Sequence, residues 1–331
     1  MTVIDSSPKR VGRGSPLLLI SRYGTFAAFI MLLLFNMAVT PHFLSWQTFN
    51  VNLTQVATIV IVATGMTLVI STGGIDLSVG SLMAISGALA PMIFMGKLLP
   101  IENTALAVAL AFVIPVAVAA LLGAFNGVLV TRFSIQPIVA TLVLFIAGRG
   151  IAQVMTNGNL QVFKTPSFQF IAMGNLFGIP AQVVLMVIIA ALAYALIRYT
   201  VLGTQILAVG GNEKAARLTG IPVKRIKIFV YMISGALAGL AGLVVIARNS
   251  ASDANVVGLG MELDAIAAVA VGGSLLTGGR ANIVGTLIGA LVIQLVRYTL
   301  LANGVPDAAA LIVKAGLIIL AVFIQQRADK V

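Results

Sequence analysis

Carboxylate and hydroxyl groups lie inside stretches of this sequence that otherwise carry almost no charge. Asp76 and Ser78 belong to "STGGIDLSVG" at residues 71–80, between two long apolar runs. A carboxylate at the centre of a lipid bilayer costs on the order of 2.5 to 3.5 kcal/mol on insertion scales, so a charge in such a place is a functional hypothesis by default. Its chemistry would be to line a path for a polar solute, to gate that path or to relay a proton.

A structural role for Asp76 competes with these functional ones. Gly73 and Gly74 can interrupt the chain at a membrane face, after which Asp76 and Ser78 can accept hydrogen bonds from the free N–H groups of a helix start. Alternatively, Asp76 lines a substrate path or its cytoplasmic gate. Proton coupling is the weakest interpretation, because no histidine or paired carboxylate lies near Asp76 in the sequence.

Further polar side chains interrupt other apolar runs. Glu262 and Asp264 stand at the start of one run, and Gln294 lies within another. Carboxylates and amides are suitable hydrogen-bond partners for hydroxyl groups, although the two acids can equally serve a helix start. The candidates for a translocation path or gate are Asp76, Ser78, Asp264 and Gln294. Arg149, Asn157 and Arg297 are further polar candidates.

Catalytic motifs are missing from the sequence. No segment matches G-x-x-x-x-G-K-[ST], whose glycines let backbone N–H groups approach phosphates, so this chain is not expected to hydrolyse ATP alone. The sole histidine, His42, has no cysteine or carboxylate neighbour, and the chain contains no cysteine. The sequence therefore predicts no enzyme activity, no cofactor and no metal site.

The elements that must position these side chains are membrane helices. The chain has 331 residues, of which 60% are hydrophobic and 9% charged, a composition that a water-soluble domain cannot cover with polar surface. Crossing a bilayer takes about 20 mostly apolar residues per helix. An all-α integral membrane protein with about ten spans is predicted, at residues 17–40, 51–71, 75–96, 104–131, 137–155, 181–199, 227–247, 262–276, 283–301 and 308–325. The eighth is short and ends in Gly272 and Gly273, so it is expected to be broken or merged with its neighbour.

Loop charges predict the orientation. Most basic residues fall on the side of the N terminus, and Lys97, Lys164 and Arg248 fall on the other side. The positive-inside rule therefore places both termini and the tail 1–16 in the cytoplasm, with residues 1–331 forming one transmembrane domain. The same rule explains the net charge of +11 without a nucleic-acid partner.

The longest predicted cytoplasmic connection, residues 200–226, contains "GGNEKAARLTGIPVKRIKIF". Asn212 is a favourable N-cap, Glu213 suits the first turn, and Gly220 followed by Pro222 ends the helix. An isolated helix of about two turns is marginal in water, so it must lean on another surface. That surface belongs either to the chain itself or to a cytoplasmic partner.

The string "GGNEKAARLTGI", followed by "KRIKIFVYMISGALAGLAG", resembles the cytoplasmic loop of permease subunits of bacterial ABC importers. With "ELDAIAAVAVGGSLLTGGRANIVGTLIGALVIQLV" and "GMTLVISTGGIDLSVGSLMAISGA", the chain resembles the ribose-type sugar group of the branched-chain permease superfamily over residues 50–325. The resemblance implies a type II-like fold in the bacterial inner membrane, two cytoplasmic ATP-binding subunits, a second permease copy or paralogue, an extracytoplasmic sugar-binding protein and import of a monosaccharide. It assigns coupling to the ATPase to Glu213, Ala215, Ala216, Arg217 and Gly220. Lys214 departs from the loose Glu-Ala-Ala pattern of many such loops.

Two halves of the chain show a faint similarity. "GGIDLSVGSLMAISG" and "GMELDAIAAVAVGGS" both place an acidic residue between glycine and a small-residue helix. An inverted repeat of spans 2–5 and 7–10 is therefore expected, as in many transporters. The alternatives are an ion-coupled secondary carrier, or a permease of the same kind for amino acids or nucleosides.

Overall fold

The computed structural model describes residues 16–98, 100–306, 309, 311–313, 315, 316 and 319. Helices dominate the described part of the chain, and four two-residue strands form two small antiparallel pairs. The helices are α1 (Pro16–Val39), α2 (Trp46–Ser71), α3 (Val79–Phe94), α4 (Thr104–Arg132), α5 (Pro137–Thr156), α6 (Pro166–Met173), α7 (Ala181–Tyr199), α8 (Val201–Gly211), α9 (Glu213–Leu218), α10 (Val223–Asn249), α11 (Met261–Val271) and α12 (Ile283–Ala302). The strands are β1 (Gln161–Val162), β2 (Asn175–Leu176), β3 (Ile179–Pro180) and β4 (Ala251–Ser252).

Six helices in the described residues are long and apolar enough to cross a membrane: α2, α4, α5, α7, α10 and α12. The predicted third and eighth spans are shorter in the structure, since α3 has 16 residues and α11 has 11. The predicted first span is α1, whose apolar part Gly24–Val39 is also short. The N-terminal tail lies outside the described residues apart from Pro16, and seven residues of the predicted tenth span, 308–325, are described. The structure thus has several crossing helices and does not establish the count of ten.

Helix α2 lies at the centre of the bundle. In its most apolar 18-residue stretch 83% of the residues are buried, against 28% in α4 and in α5. Around it pack α7, α10, α11 and α12, while α3 packs between α10, α4 and α5. Threonine and serine hydroxyls on α2 donate a hydrogen bond to the backbone carbonyl four residues earlier, as Thr64 and Ser71 do. These polar groups are therefore satisfied inside an apolar core.

Helices α4 and α10 form the most extensive helix–helix contact among the described residues. A Cβ on Gly127 would lie 2.7 Å from the Cα of Ile228, and a Cβ on Gly239 would lie 2.7 Å from the Cβ of Ala119. Gly235 faces the backbone of Ala119 directly. Small residues at this interface let the two backbones approach, as expected for helices that associate without help from a hydrophobic driving force.

The end of the bundle remote from α9 is closed by short elements. Strand β1 pairs with β4 antiparallel, with Gln161 opposite Ser252. Helix α6 carries Phe168, which is fully buried and packs its ring against Phe94 and Phe112. An eight-residue helix and two-residue strands have no clear periodic signal, so the sequence does not predict them.

Candidate functional site

Helix α3 begins among buried residues, and the first turn of α11 directs Glu262 and Asp264 into the protein. Asp76, just before α3, contacts Ser234 of α10. Ser234 lies eleven residues after the start of α10, which corresponds to about 16 Å along that helix at 1.5 Å per residue. The turn before α3 therefore runs from Gly73, which is exposed, to Asp76, which is buried against the interior of α10.

The Asp76 carboxylate is fully buried and accepts three hydrogen bonds. The Ser78 backbone N–H and the Ser78 hydroxyl donate to Oδ1, at 3.0 and 2.6 Å. The Ser234 hydroxyl donates to Oδ2 at 2.9 Å. Asp76 thus organises the turn that leads into α3 and ties it to α10.

Ser78 serves α3 differently from the predicted cap. Among the described residues its side chain accepts no bond from the first turn of α3. Its hydroxyl donates to Asp76 and accepts from the Asn126 side chain on α4 at 2.9 Å. The Oδ1 atom of Asn126 is buried and has no hydrogen-bond partner among the described residues. It is an acceptor available to a ligand donor. The sequence does not single out Asn126 or Ser234 as site residues, because an isolated polar residue in an apolar helix does not show which face of the helix it occupies.

Helix α11 begins where its preceding segment crosses the start of α3. Gly258 and Gly80 approach so closely that a Cβ on Gly258 would lie 2.8 Å from the Cβ of Met83 and 3.0 Å from the Cα of Gly80. A Cβ on Gly80 would lie 2.5 Å from Oε2 of Glu262. The Glu262 side chain is buried, and this Oε2 has no hydrogen-bond partner among the described residues. The N-terminal ends of two broken helices therefore meet around a buried carboxylate.

Arg149 of α5 holds this meeting point together. Its Nη1 donates to the carbonyls of Ala254 and Val257, at 2.9 and 2.5 Å, and its Nη2 donates to Gly80 at 3.4 Å. One guanidinium thus joins α5, the segment before α11 and the start of α3. The sequence singled out Arg149 as polar, but it did not indicate that its partners are carbonyl groups.

The remaining path candidates fall in different places. Asp264 is buried in the first turn of α11, where a negative charge is favoured by the helix dipole. Gln294 is buried on α12 and donates to Gln55 of α2 at 2.5 Å, with Asn52 at 3.5 Å. Asp76 and Ser78 therefore form one cluster, while Gln294 joins an amide group between α2 and α12.

The chain between α7 and α10 forms two helices where the sequence predicts one. Helix α9 begins after Asn212, whose side chain accepts from the Ala215 N–H at 3.0 Å. Its end is a Schellman motif: Gly220 has φ +81°, and the N–H groups of Gly220 and Ile221 donate to Arg217 and Ala216. The predicted helix is thus present within its predicted limits. Helix α8 is an addition that the sequence analysis did not anticipate.

One face of α9 is packed and the other is open. Ala216 is buried against the core formed by α8, α10 and the end of α2, whereas Ala215, Arg217 and Gly220 are exposed. Leu218 is 90% exposed, which is unusual for a leucine in a protein with so much apolar interior. The open face offers a docking surface at the end of the bundle that carries α9.

Glu213 anchors α9 electrostatically. It pairs with Lys227 of α10 at 2.6 Å and with Arg217, one turn further along α9, at 2.8 Å. The hydrogen bond from Lys227, aided by Arg217, lowers the pKa of Glu213 below its ordinary value, and partial burial opposes this shift. The glutamate is therefore charged at neutral pH, and it fixes α9 to the first turns of α10.

These arrangements can bind and guide a polar solute, and their chemistry is that of hydrogen bonding. Two orphaned acceptors, Asn126 Oδ1 and Glu262 Oε2, lie where broken helices begin. Among the described residues no three His, Cys, Asp or Glu side chains are grouped so that they could hold a metal ion. Interrupted helices around a buried polar site are typical of transporters.

The chain is a multi-pass membrane permease, a transport component and not an enzyme. Its residues 49–322 match the family described as "Branched-chain amino acid transport system / permease component", and the chain belongs to that family. The resemblance seen in the sequence motifs is thereby confirmed.

Curated relatives cover most of the chain. It is similar to the galactofuranose transporter permease protein of Escherichia coli strain K12, with 39% identity over 91% of this chain and 88% of the relative. The ribose import permease protein of the same strain is 42% identical, over 91% and 92% of the two chains. A fructose import permease protein of Bifidobacterium longum is 41% identical over 76% and 70%. No solved structure matches the chain significantly.

Proposed function

We propose that this chain is the transmembrane permease subunit of an ABC importer that carries a monosaccharide into the cytoplasm. The observation that carries the proposal is the meeting of the α3 and α11 starts around buried acceptors, Asn126 Oδ1 and Glu262 Oε2. Such acceptors suit the hydroxyl donors of a sugar. The relatives named for ribose, fructose and galactofuranose support the same substrate class.

The driving force comes from partner subunits in this proposal. Two ATP-binding subunits dock on the open face of α9, and Glu213, Ala215, Ala216, Arg217 and Gly220 form or hold that face. An extracytoplasmic sugar-binding protein delivers substrate at the opposite end, and a second permease copy or paralogue completes the membrane part. The basic residues near α9 support a cytoplasmic position for this end, in a bacterial inner membrane with both termini inside.

An inverted repeat of spans 2–5 and 7–10 is supported by the way the helices pack. Helix α2 contacts α11 and α12, and α10 contacts α3 and α4. Exchanging α2 with α10, α3 with α11 and α4 with α12 maps these four contacts onto one another and preserves the contact between α2 and α10. This exchange is what a two-fold relation between the halves predicts, and it favours the ten-span arrangement.

Alternating access then follows from the broken helices. Closure of the ATP-binding subunits displaces α9, and the starts of α3 and α11 move relative to each other to open the path toward the other face. Asp76 and Ser78 act at the cytoplasmic part of this path, while Asp264 and Gln294 act further along it. Arg149 keeps the meeting point closed in the described state through its carbonyl contacts.

The test is reconstitution in vesicles. The chain, its ATP-binding partner and its binding protein are combined with radiolabelled ribose or fructose, and uptake is measured with and without ATP. ATP-dependent uptake that requires all the components supports the proposal. Uptake by the chain alone under an ion gradient would refute it in favour of a secondary carrier. Uptake of amino acids or nucleosides in place of sugars would change the substrate class alone.

A further inference from the structure

Three segments of the chain meet through their backbones next to α9. The Gly279 N–H donates to the Ser71 carbonyl at 3.0 Å, joining the turn before α12 to the end of α2. A Cβ on Gly210, at the end of α8, would collide with this same Ser71 carbonyl and with the Gly279 nitrogen. A Cβ on Gly278 would lie 2.8 Å from the nitrogen of Gly73 and 3.0 Å from the Gly210 carbonyl. We call these five residues, Ser71, Gly73, Gly210, Gly278 and Gly279, the glycine junction.

The glycine junction lies between α9, the break before α3 and the segment that follows α11. Gly210 precedes Asn212, the N-cap of α9, by two residues. Ser71 and Gly73 lead directly to Asp76 and the start of α3, and Gly278 and Gly279 follow the end of α11. A displacement of α9 along the membrane normal therefore reaches both broken helices through a few peptide units.

We propose that the glycine junction is the positioning element that transmits movement of α9 to α3 and α11 together. This inference rests on the proposed function and names the residues through which ATP hydrolysis would act. Contacts between backbones cannot be absorbed by a change of side-chain rotamer, since no side chain stands between the segments. The three segments consequently move as one unit, and the start of α3 and the end of α11 respond to one event at α9.

Adjacent glycines provide a matched pair of variants. Gly210→Ala places a methyl group in the glycine junction, whereas Gly211→Ala places it where no described residue comes within 4 Å. Both changes favour helix intrinsically, so a difference between them reports the junction contact. In the assembled complex, Gly210→Ala is expected to keep ATP hydrolysis while sugar uptake per ATP falls about tenfold, within the usual range of coupling between sites. Gly211→Ala is expected to behave as the unmodified chain.

A second measurement uses the unmodified complex and holds even if Gly210→Ala does not assemble. The Gly279 N–H donates to the Ser71 carbonyl across the glycine junction, and this bond protects the amide from hydrogen exchange while it is intact. If the segments move as one unit, the Gly279 amide is equally protected with and without ATP.

The outcomes separate the two proposals. Equal uptake per ATP in Gly210→Ala and Gly211→Ala would overturn the role of the glycine junction. Loss of hydrogen-exchange protection at the Gly279 amide in one nucleotide state would also overturn it, because the segments would then have separated. Absence of ATP-dependent sugar uptake in the unmodified complex would overturn the proposed function itself, and the junction's role with it.

Discussion

Substitutions of Asp76 distinguish the contribution of its hydrogen bonds from that of its negative charge. In Asp76→Asn the amide oxygen can replace Oδ1 and keep both bonds from Ser78. The amide nitrogen can donate to the Ser234 hydroxyl, which then accepts instead of donating. All three contacts can survive in altered form, so we expect a loss of about 1 kcal/mol in the free energy of unfolding.

Asp76→Ala leaves three buried donors without their acceptor. An unsatisfied buried donor costs about 1 to 3 kcal/mol, but the Ser234 hydroxyl can rotate toward a carbonyl of its own helix. We therefore expect a loss of about 2 to 4 kcal/mol, mostly from the Ser78 N–H and hydroxyl. Ser234→Ala is the matched control, because it removes one of the three bonds and leaves the Ser78 contacts intact.

Thermal unfolding of the purified permease in detergent measures these losses, and sugar uptake by the assembled complex measures function. The expected order of stability is unmodified chain, then Asp76→Asn and Ser234→Ala close together, then Asp76→Ala. If Asp76→Asn unfolds as readily as Asp76→Ala, the negative charge of Asp76 stabilises the turn before α3 and its hydrogen-bond geometry does not. Normal assembly of Asp76→Asn with lost uptake would favour a gate role, whereas failed assembly would favour a structural one.

Three more variants probe other parts of the molecule. Glu213→Gln removes the ion pair with Lys227, and since the glutamate is 41% exposed we expect a loss of about 0.5 kcal/mol, seen as faster proteolysis around α9. The pKa of Glu213 is lowered in the fold, so the stability that its ion pairs contribute is complete above the ordinary pKa of 4.5 and is lost as pH falls through the lowered pKa. Equal proteolysis of the variant and the unmodified chain at pH 7 would contradict a stabilising role of the ion pair. Arg149→Lys cannot bind the two carbonyls and Gly80 at once, so we expect a loss of about 1 to 3 kcal/mol in detergent unfolding, and an unchanged melting temperature would disprove the clamp. Gly235→Ala should lower the melting temperature through a loss of about 1 to 3 kcal/mol, whereas Gly150→Ala, with no described neighbour within 4 Å, should not.

Local chemistry made parts of the fold predictable from sequence. The limits of α9 follow from Asn212 and Gly220, because a side-chain cap and a left-handed glycine act on adjacent residues. The adjacent glycines Gly73 and Gly74 likewise predict the break before α3. Depth in the membrane was not predictable in this way, since apolar runs look the same whether the helix crosses or stops halfway.

Contacts between distant residues were beyond the sequence. Ser234, which donates to Asp76, is 158 positions away from it, and Asn126, which donates to Ser78, is 48 positions away from that serine. Both contacts are set by how the helices pack. Helix α8 lies within the predicted cytoplasmic connection 200–226, and its three glycines, Gly203, Gly210 and Gly211, do not favour a helix. The span count was ambiguous too, as α11 is too short to cross alone.

The burial of α2 bears on how sequences of this family can change. A helix that touches lipid, such as α4, can exchange leucine, valine and phenylalanine freely, because fluid acyl chains adapt to any apolar shape. Helix α2 is also apolar, with a mean hydropathy of 2.0 against 2.8 for α4, but its residues 56–71 are buried, so each of them fills a fixed volume between other helices. Substitutions that leave hydropathy unchanged should therefore be tolerated on the exposed face of α4 and rejected at residues 56–71 of α2, and a saturation mutagenesis screen for sugar uptake would display that contrast between two apolar helices.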